Sequence, residues 1–356
     1  MKLLYDLTPN NHIHTRTMAH ALLSPSAAHR WTECPGSVFL TKDLPDHPSQ
    51  AAAYGTLAHS VAEKILSGIP LADLIAVNDQ IDEEIIKGVQ TYVDYVRSFL
   101  TPNATLYVEQ RLPVGHITSE PNAKGTADAV IVEDELLTII DLKFGHNYVY
   151  AKDNHQLKIY ALGAIHRFGE REHVKTVIHQ PRADHVDEHI YTLQELYAFQ
   201  QEVFFKGTAA LRMAKGSLPP SYNPSPTNCK WCKGKSHCPS LADQMFNLID
   251  SKQDLNESAK WVDLARKWAD SVEEHLVQAL VDGQEFEDWE LGVGRQGNRK
   301  WIDEKEVLLV LQSLLTEDQL YTKKIISPTQ AAKLTEIDLE SLIMREPGKP
   351  IYISKN

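Results

Sequence analysis

Two aspartates and a lysine stand in stretches that are otherwise apolar. Asp128 lies in KGTADAVIV, Asp141 in LLTIIDL, and Lys143 follows Asp141 by two residues. Asp134 and Glu135 between the runs read as a turn. A two-residue turn there sets Asp128 directly opposite Asp141 on one face of a hairpin, with Lys143 on that same face. Like charges facing each other across paired strands are destabilising, and a buried carboxylate costs several kcal/mol unless it is paired. A cation must offset this. Lys143 supplies one charge. A divalent metal does better, because Mg²⁺ takes oxygen ligands and needs few of them from the protein. A lone D-x-K also fits a solvated surface hairpin. The apolar residues on both faces, Val130, Ile131, Val132, Leu137, Ile139 and Ile140, point instead to a buried sheet.

The second group with chemical potential is Cys34, Cys229, Cys232 and Cys238, the chain's four cysteines. The last three lie in CKWCKGKSHCP with C-x2-C-x5-C spacing. So few cysteines in so long a chain do not make a disulfide framework. Four thiolates can hold zinc or an iron–sulfur cluster. The GKS inside this stretch is not a phosphate-binding loop, since Cys229 stands where the leading glycine is needed, so no helicase motor is expected.

Helices and strands must position these groups. The stretch 55–66 reads as a helix carrying His59, with Glu63 one turn on and placed to orient its imidazole, and 82–100 as a longer amphipathic helix. Residues 105–114 read as a strand with Glu109, and the hairpin follows. The stretch 155–169 reads as a helix closed by Gly169, with Gln156 and Tyr160 four apart on one face. A strand at 175–181, a helix at 192–216 and a loop at 217–228 lead to the cysteines. Ser24 and Pro25 suit the start of a helix. Beyond, 255–283 is a long amphipathic helix, with Trp261, Leu264, Trp268, Val272 and Leu276 expected on the core, and helices follow at about 303–315, 328–334 and 337–345. The expected layout is a poorly ordered extension over 1–17, an α/β domain over 18–245 and a mainly helical region over 246–356.

With these residues in place, the chain resembles the PD-(D/E)XK nuclease superfamily, in its RecB-like branch, over about residues 20–240. The pattern is carried by His59 in GTLAHSVAEKIL, Asp128 in GTADAV, Asp141 and Lys143 in IIDLKFG, and Gln156 and Tyr160 in HQLKIYALG. Ala127 stands where the superfamily name has proline. The resemblance implies a restriction-endonuclease-like α/β core, a central mixed sheet flanked by helices. It implies a Mg²⁺- or Mn²⁺-dependent deoxyribonuclease, with one or two ions held by Asp128, Asp141, His59 and the Leu142 carbonyl. Glu109 is a further ligand or a surface charge. Lys143 would orient or deprotonate the attacking water, and Gln156 and Tyr160 would position the lysine or the DNA backbone. One cysteine before these motifs and three after them resemble the AddB nuclease domain and the CRISPR-associated adaptation nucleases, which implies a 4Fe–4S cluster rather than structural zinc. The whole chain also resembles a phage-associated family. An exonuclease, or a single-strand or flap nuclease, in phage DNA recombination, replication or repair is the resulting expectation, with recombination or replication proteins as partners. A nuclease fold that only holds DNA ends or a protein is the alternative.

Composition sets bounds. The chain has 356 residues, 42% of them hydrophobic and 24% charged, with a net charge of −12. That charge argues against broad adhesion to nucleic acid but leaves room for local basic patches. Lys230, Trp231, Lys233 and Lys235 form one such mixture of cations and an aromatic, and Arg295, Arg299, Lys300 and Trp301 another, suited to a strand's backbone and bases. A solvated turn explains the second equally well. No apolar run reaches the roughly 20 residues of a membrane span, and the N-terminus lacks a secretory signal's apolar core, so a cytoplasmic protein is expected.

Overall fold

In the computed structural model of the protein, residues 21–45, 49–250 and 254–292 are described. Runs rich in β-branched residues form the strands: β1 (Thr105–Pro113), β2 (Lys124–Val132), β3 (Leu136–Leu142), β4 (His173–Gln180) and β5 (His185–Tyr191). They make one mixed sheet in that spatial order. β3 and β4 are parallel and the other neighbours antiparallel. The helices are α1 (Ala28–Glu33), α2 (Gly36–Thr41), α3 (Gln50–Leu66), α4 (Leu71–Val77), α5 (Glu83–Ser98), α6 (Gly115–Thr118), α7 (His155–Phe168), α8 (Leu193–Ala214), α9 (Pro226–Cys229), α10 (Pro239–Asp250) and α11 (Leu255–Val281). The architecture is thus the expected α/β one. Among the described residues, no helix is long and apolar enough to cross a membrane.

Alternation along the strands builds two layers. Val130, Leu137, Ile139, Val174 and Ile178 face α7, α8 and Trp31 of α1. Ala129, Ile131, Ile140, Leu142 and Val177 face α3 and α5. Burying each such aliphatic side chain stabilises the fold by roughly 1.5–3 kcal/mol. Side-chain caps fix where the helices begin: Ser49 accepts from Ala52 N, Asp82 from Ile85 N and Asn154 from Leu157 N, and Thr192 with Glu195 forms a capping box. Ser24 does not behave this way. It precedes a 3₁₀ turn, Pro25–Ala27, with no side-chain cap bond, and α1 starts only at Ala28.

The hairpin register decides where the carboxylates go. β2 and β3 pair from Val132↔Leu137 to Ala129↔Ile140. Glu133 N donates to the Leu136 carbonyl at 3.0 Å, closing a two-residue turn at Asp134–Glu135. One further step places Asp128 opposite Asp141. Backbone pairing stops just before it, and Asp128 Oδ2 instead accepts from Leu142 N at 2.7 Å. Helices from both layers therefore reach the open end of the ladder.

Candidate functional site

Seven side chains converge at that end. His59, from the middle of α3, sets Nδ1 3.1 Å from Asp128 Oδ1. Asp128 is thus held on both oxygens, by the imidazole and by the Leu142 amide. The β1–β2 register runs from Thr105↔Val132 to Val108↔Ala129 and resumes at Gln110↔Ala127, which leaves Glu109 opposite Asp128. Glu109 has φ 45°, a left-handed conformation that non-glycine residues adopt at a cost of order 1 kcal/mol or more. Ligand atoms of His59, Glu109 and Asp128 all lie within 4.8 Å of one another.

On the other side of the ladder end, Asp141 is 2% exposed. Lys143 Nζ stands 2.9 Å from its Oδ2 as an ion pair. Gln156, in the first turn of α7, ties the pair together: its Nε2 donates to Asp141 Oδ1 at 2.8 Å, and its Oε1 accepts from Lys143 Nζ at 2.9 Å. Tyr160, one turn on, accepts a long bond of 3.4 Å from Gln156 Nε2. Its ring packs where a Cβ on Gly125 would stand, 2.7 Å from Cε1, so the glycine of KGTAD makes room for the tyrosine.

Electrostatics follow from this crowding. Burial raises the Glu109 carboxyl, and the charge of Asp128 raises it further, to about 7. Burial likewise holds Asp141 above its ordinary value, against the pull of Lys143. Burial works against the Lys143 ammonium, but Asp141 and Asp128 outweigh it and lift the lysine above its usual value. His59 behaves the same way: burial lowers it, and Asp128 more than compensates. Three carboxylates and a histidine crowded beside a single lysine fit a divalent metal, which supplies further positive charge. A histidine in the set suits Mn²⁺ at least as well as Mg²⁺.

The geometry corrects one expectation and adds one residue. The partner of His59 is Asp128, not Glu63, whose charge acts on Glu109 instead. Tyr92 of α5 was not singled out from sequence. Its hydroxyl is buried without a hydrogen bond, and its ionisation is suppressed by burial and then by Asp128, Asp141 and Glu109. The only sequence signal was its place on the apolar stripe of α5, which marks core rather than chemistry. Leu142 ends β3, its side chain fully buried and its amide given to Asp128.

The four cysteines are buried, unpaired, and line one pocket with Ser37, Tyr222 and Lys235. Gly36 N donates to Ser221 O at 2.8 Å and Asn223 N to Cys34 Sγ at 3.3 Å, which brings the end of α1 to the loop before Cys229. Burial pushes the Cys229 thiol up to about 11. Trp261, Leu264 and Trp268 of α11 pack on Cys229 and Cys238 together with α10. Val272, further along α11, is exposed. The cation group divides. Trp231 is exposed, with Lys230 and Lys267 over its ring. Lys233 donates to Leu44 O. Lys235, half-buried, donates to Cys232 O at 2.7 Å and lines the cysteine pocket. Arg295, Arg299, Lys300 and Trp301 lie outside the described residues, as do the extension at 1–17 and the helices expected at about 303–315, 328–334 and 337–345.

Fold and site together define an α/β protein with a histidine–carboxylate group able to hold a divalent metal. The chain belongs to the DUF2800 family, described as a protein of unknown function, whose profile matches residues 20–356. Among solved structures it is similar to a candidate exonuclease from Eubacterium rectale, with a TM-score of 0.37 and 14% identity over 65% of this chain and 94% of that one. It is also similar to the protein SSO0001, with a TM-score of 0.29 and 17% identity over 64% of this chain and 90% of that one.

Proposed function

We propose that the chain is a metal-dependent deoxyribonuclease that hydrolyses phosphodiester bonds, as an exonuclease or a single-strand or flap nuclease. One observation carries the reading: Gln156 clamps Lys143 and Asp141 beside the His59–Glu109–Asp128 group. His59, Glu109, Asp128 and Asp141 would hold the metal, with the Leu142 carbonyl as a further ligand. A bound Mg²⁺ or Mn²⁺ supplies charge for the phosphate and lowers the pKa of a water. The chain's own residues do the rest. Lys143, held between Asp141 and Gln156, would orient or deprotonate the attacking water. Gln156 fixes the ammonium's direction, and the Leu142 amide fixes the Asp128 carboxylate. The resemblance to phage-associated proteins supplies the setting, DNA recombination, replication or repair.

The four buried cysteines around one pocket would hold a 4Fe–4S cluster, with structural zinc as the alternative. The preference rests on the order of one cysteine before the nuclease motifs and three after them. Anaerobic purification tests this: stoichiometric iron and sulfide support the cluster, and stoichiometric zinc in a colourless protein rejects it.

The nuclease reading is tested with end-labelled single-stranded, duplex and flap DNA in Mg²⁺ or Mn²⁺. Asp141→Asn and Lys143→Ala are each expected to lower the cleavage rate by about 10²–10⁴, with far-ultraviolet circular dichroism unchanged. EDTA should abolish cleavage. Wild-type rates in both variants would rule the reading out.

A further inference from the structure

The loop that joins Lys143 to Gln156 carries two exposed aromatics for which the site so far has no use. Tyr148 is 62% exposed and Tyr150 58%. Neither is loosely held at its backbone. Gln180, 1% exposed at the end of β4, clamps the loop: Val149 N donates to its Oε1 at 3.1 Å, and its Nε2 donates to the Gly145 and Asn147 carbonyls at 2.8 and 2.7 Å. Ala151 N donates to Asp187 at 2.6 Å, and Asp153 N to Tyr191 at 2.7 Å. His185 Nε2 donates to Val149 O at 3.0 Å. Both tyrosine rings meet the His185 imidazole nearly at right angles, 74° and 82°, with centroids 5.0 and 5.4 Å away.

The clamp also locates the loop. Gln180 follows His179, which lies beside Leu142 in the parallel register, and the His179 carbonyl accepts from Lys143 N. Five Cα steps separate Lys143 from Tyr148, so their Cα atoms are at most about 19 Å apart. That is a reach of a few nucleotides. Exposed aromatic side chains on a braced loop within about 19 Å of Lys143, with Lys152 exposed beside them, match the two components of single-strand binding: rings that stack bases and a cation along the backbone. Stacking needs bases that are not already paired with a complement.

We propose that Tyr148 and Tyr150, braced by His185, stack unpaired nucleobases of a single strand leading into the candidate site. This rests on the nuclease reading and adds the substrate class to it. It gives the Gln180 clamp a purpose, since a platform whose backbone is already ordered loses less entropy on binding.

The test uses the full chain, with Ca²⁺ replacing Mg²⁺ for binding by fluorescence anisotropy, and Mg²⁺ or Mn²⁺ for cleavage. The probes are labelled deoxythymidine and uridine oligomers and a blunt duplex of the same length. Replacing both residues (Tyr148→Ala, Tyr150→Ala) is expected to weaken single-strand binding about tenfold per ring, with duplex binding and thermal stability unchanged. Replacing both with Phe keeps the rings and should restore the wild-type affinity. Comparing the two oligomers shows whether a deoxyribose or ribose strand is preferred. Equal single-strand affinity in the alanine variant and the wild type overturns the platform even if the wild type cleaves DNA, and the nuclease reading then stands alone. Loss of binding in the alanine variant of a protein that never cleaves supports the platform and removes the catalytic reading. A wild type that neither binds nor cleaves any probe overturns both.

Discussion

Gln156 holds the site's two halves of charge in register. Its amide spans Asp141 and Lys143 with bonds of 2.8 and 2.9 Å, so its removal leaves the half-buried ammonium held by Asp141 alone, without deleting a ligand. Gln156→Ala is expected to lower kcat about 10–100-fold, the range for lost groups behind a metal site, with KM little changed. Tyr160 should behave differently, because its bond to Gln156 is long and its ring fills the space beside Gly125. Tyr160→Phe should cleave at close to the wild-type rate, while Tyr160→Ala should lose about 3–5 kcal/mol of stability to the cavity. Urea denaturation and steady-state kinetics separate the two roles. Glu109 gives a pH signature in metal-free protein. Its folded value of about 7 lies above the ordinary 4.5, so the folded state holds this proton more tightly than the unfolded chain does. The stability linked to Glu109 is therefore complete below about pH 4.5 and is lost as pH rises through about 7. In EDTA, Glu109→Gln should lose less melting temperature between about pH 5 and 8 than the wild type. Parallel profiles would refute that assignment.

At the scale of elements, what was legible depended on whether local sequence or distant contacts decided the outcome. The hairpin was legible because its two strands are long, apolar and separated by two polar residues, so register followed from the turn alone. Helix α7 was legible because Asn154 caps it and Gly169 ends it. β5 was not, since HVDEHIY has few apolar residues and its pairing with β4 is what makes it a strand. Glu109 stayed ambiguous for a related reason: no sequence pattern announces a φ of 45° inside a strand. Gly36 also escaped notice, although it lets α2 meet the loop before Cys229. A Cβ there would lie 2.5 Å from the Ser221 carbonyl oxygen, and backbone cannot yield as a side-chain tip can. Gly36→Ala should therefore push that loop from Cys34, cost about 1–3 kcal/mol and lower the iron content of anaerobically purified protein. Retention of full metal content and stability would show that the contact can relax.

At the scale of the whole molecule, the cysteine pocket joins chain segments far apart in sequence. Cys34 ends α1, whose Trp31 belongs to the core beneath the sheet, while Cys229 and Cys238 belong to a separate cluster with α10 and α11. Closing so long a loop restricts the unfolded chain, by about 3–5 kcal/mol if a bound cluster acts as a cross-link does. The cysteine pocket also reaches the candidate metal site by a short physical route. Thr32 Oγ1, two residues before Cys34, lies 2.9 Å from His155 Nδ1, and His155 precedes Gln156. Releasing Cys34 should therefore do two things at once. Cys34→Ser should lower the urea midpoint in proportion to that cross-link, and it should reduce the cleavage rate through misplacement of Gln156, while mixed α/β circular dichroism persists at low temperature. Thr32→Val separates the effects: it cuts the link to His155 but leaves the thiols in place, so it should lower the rate with metal content unchanged. If Cys34→Ser lost stability but kept the full rate, the proposed cluster would be a staple alone, and the Thr32–His155 bond would carry nothing to the site.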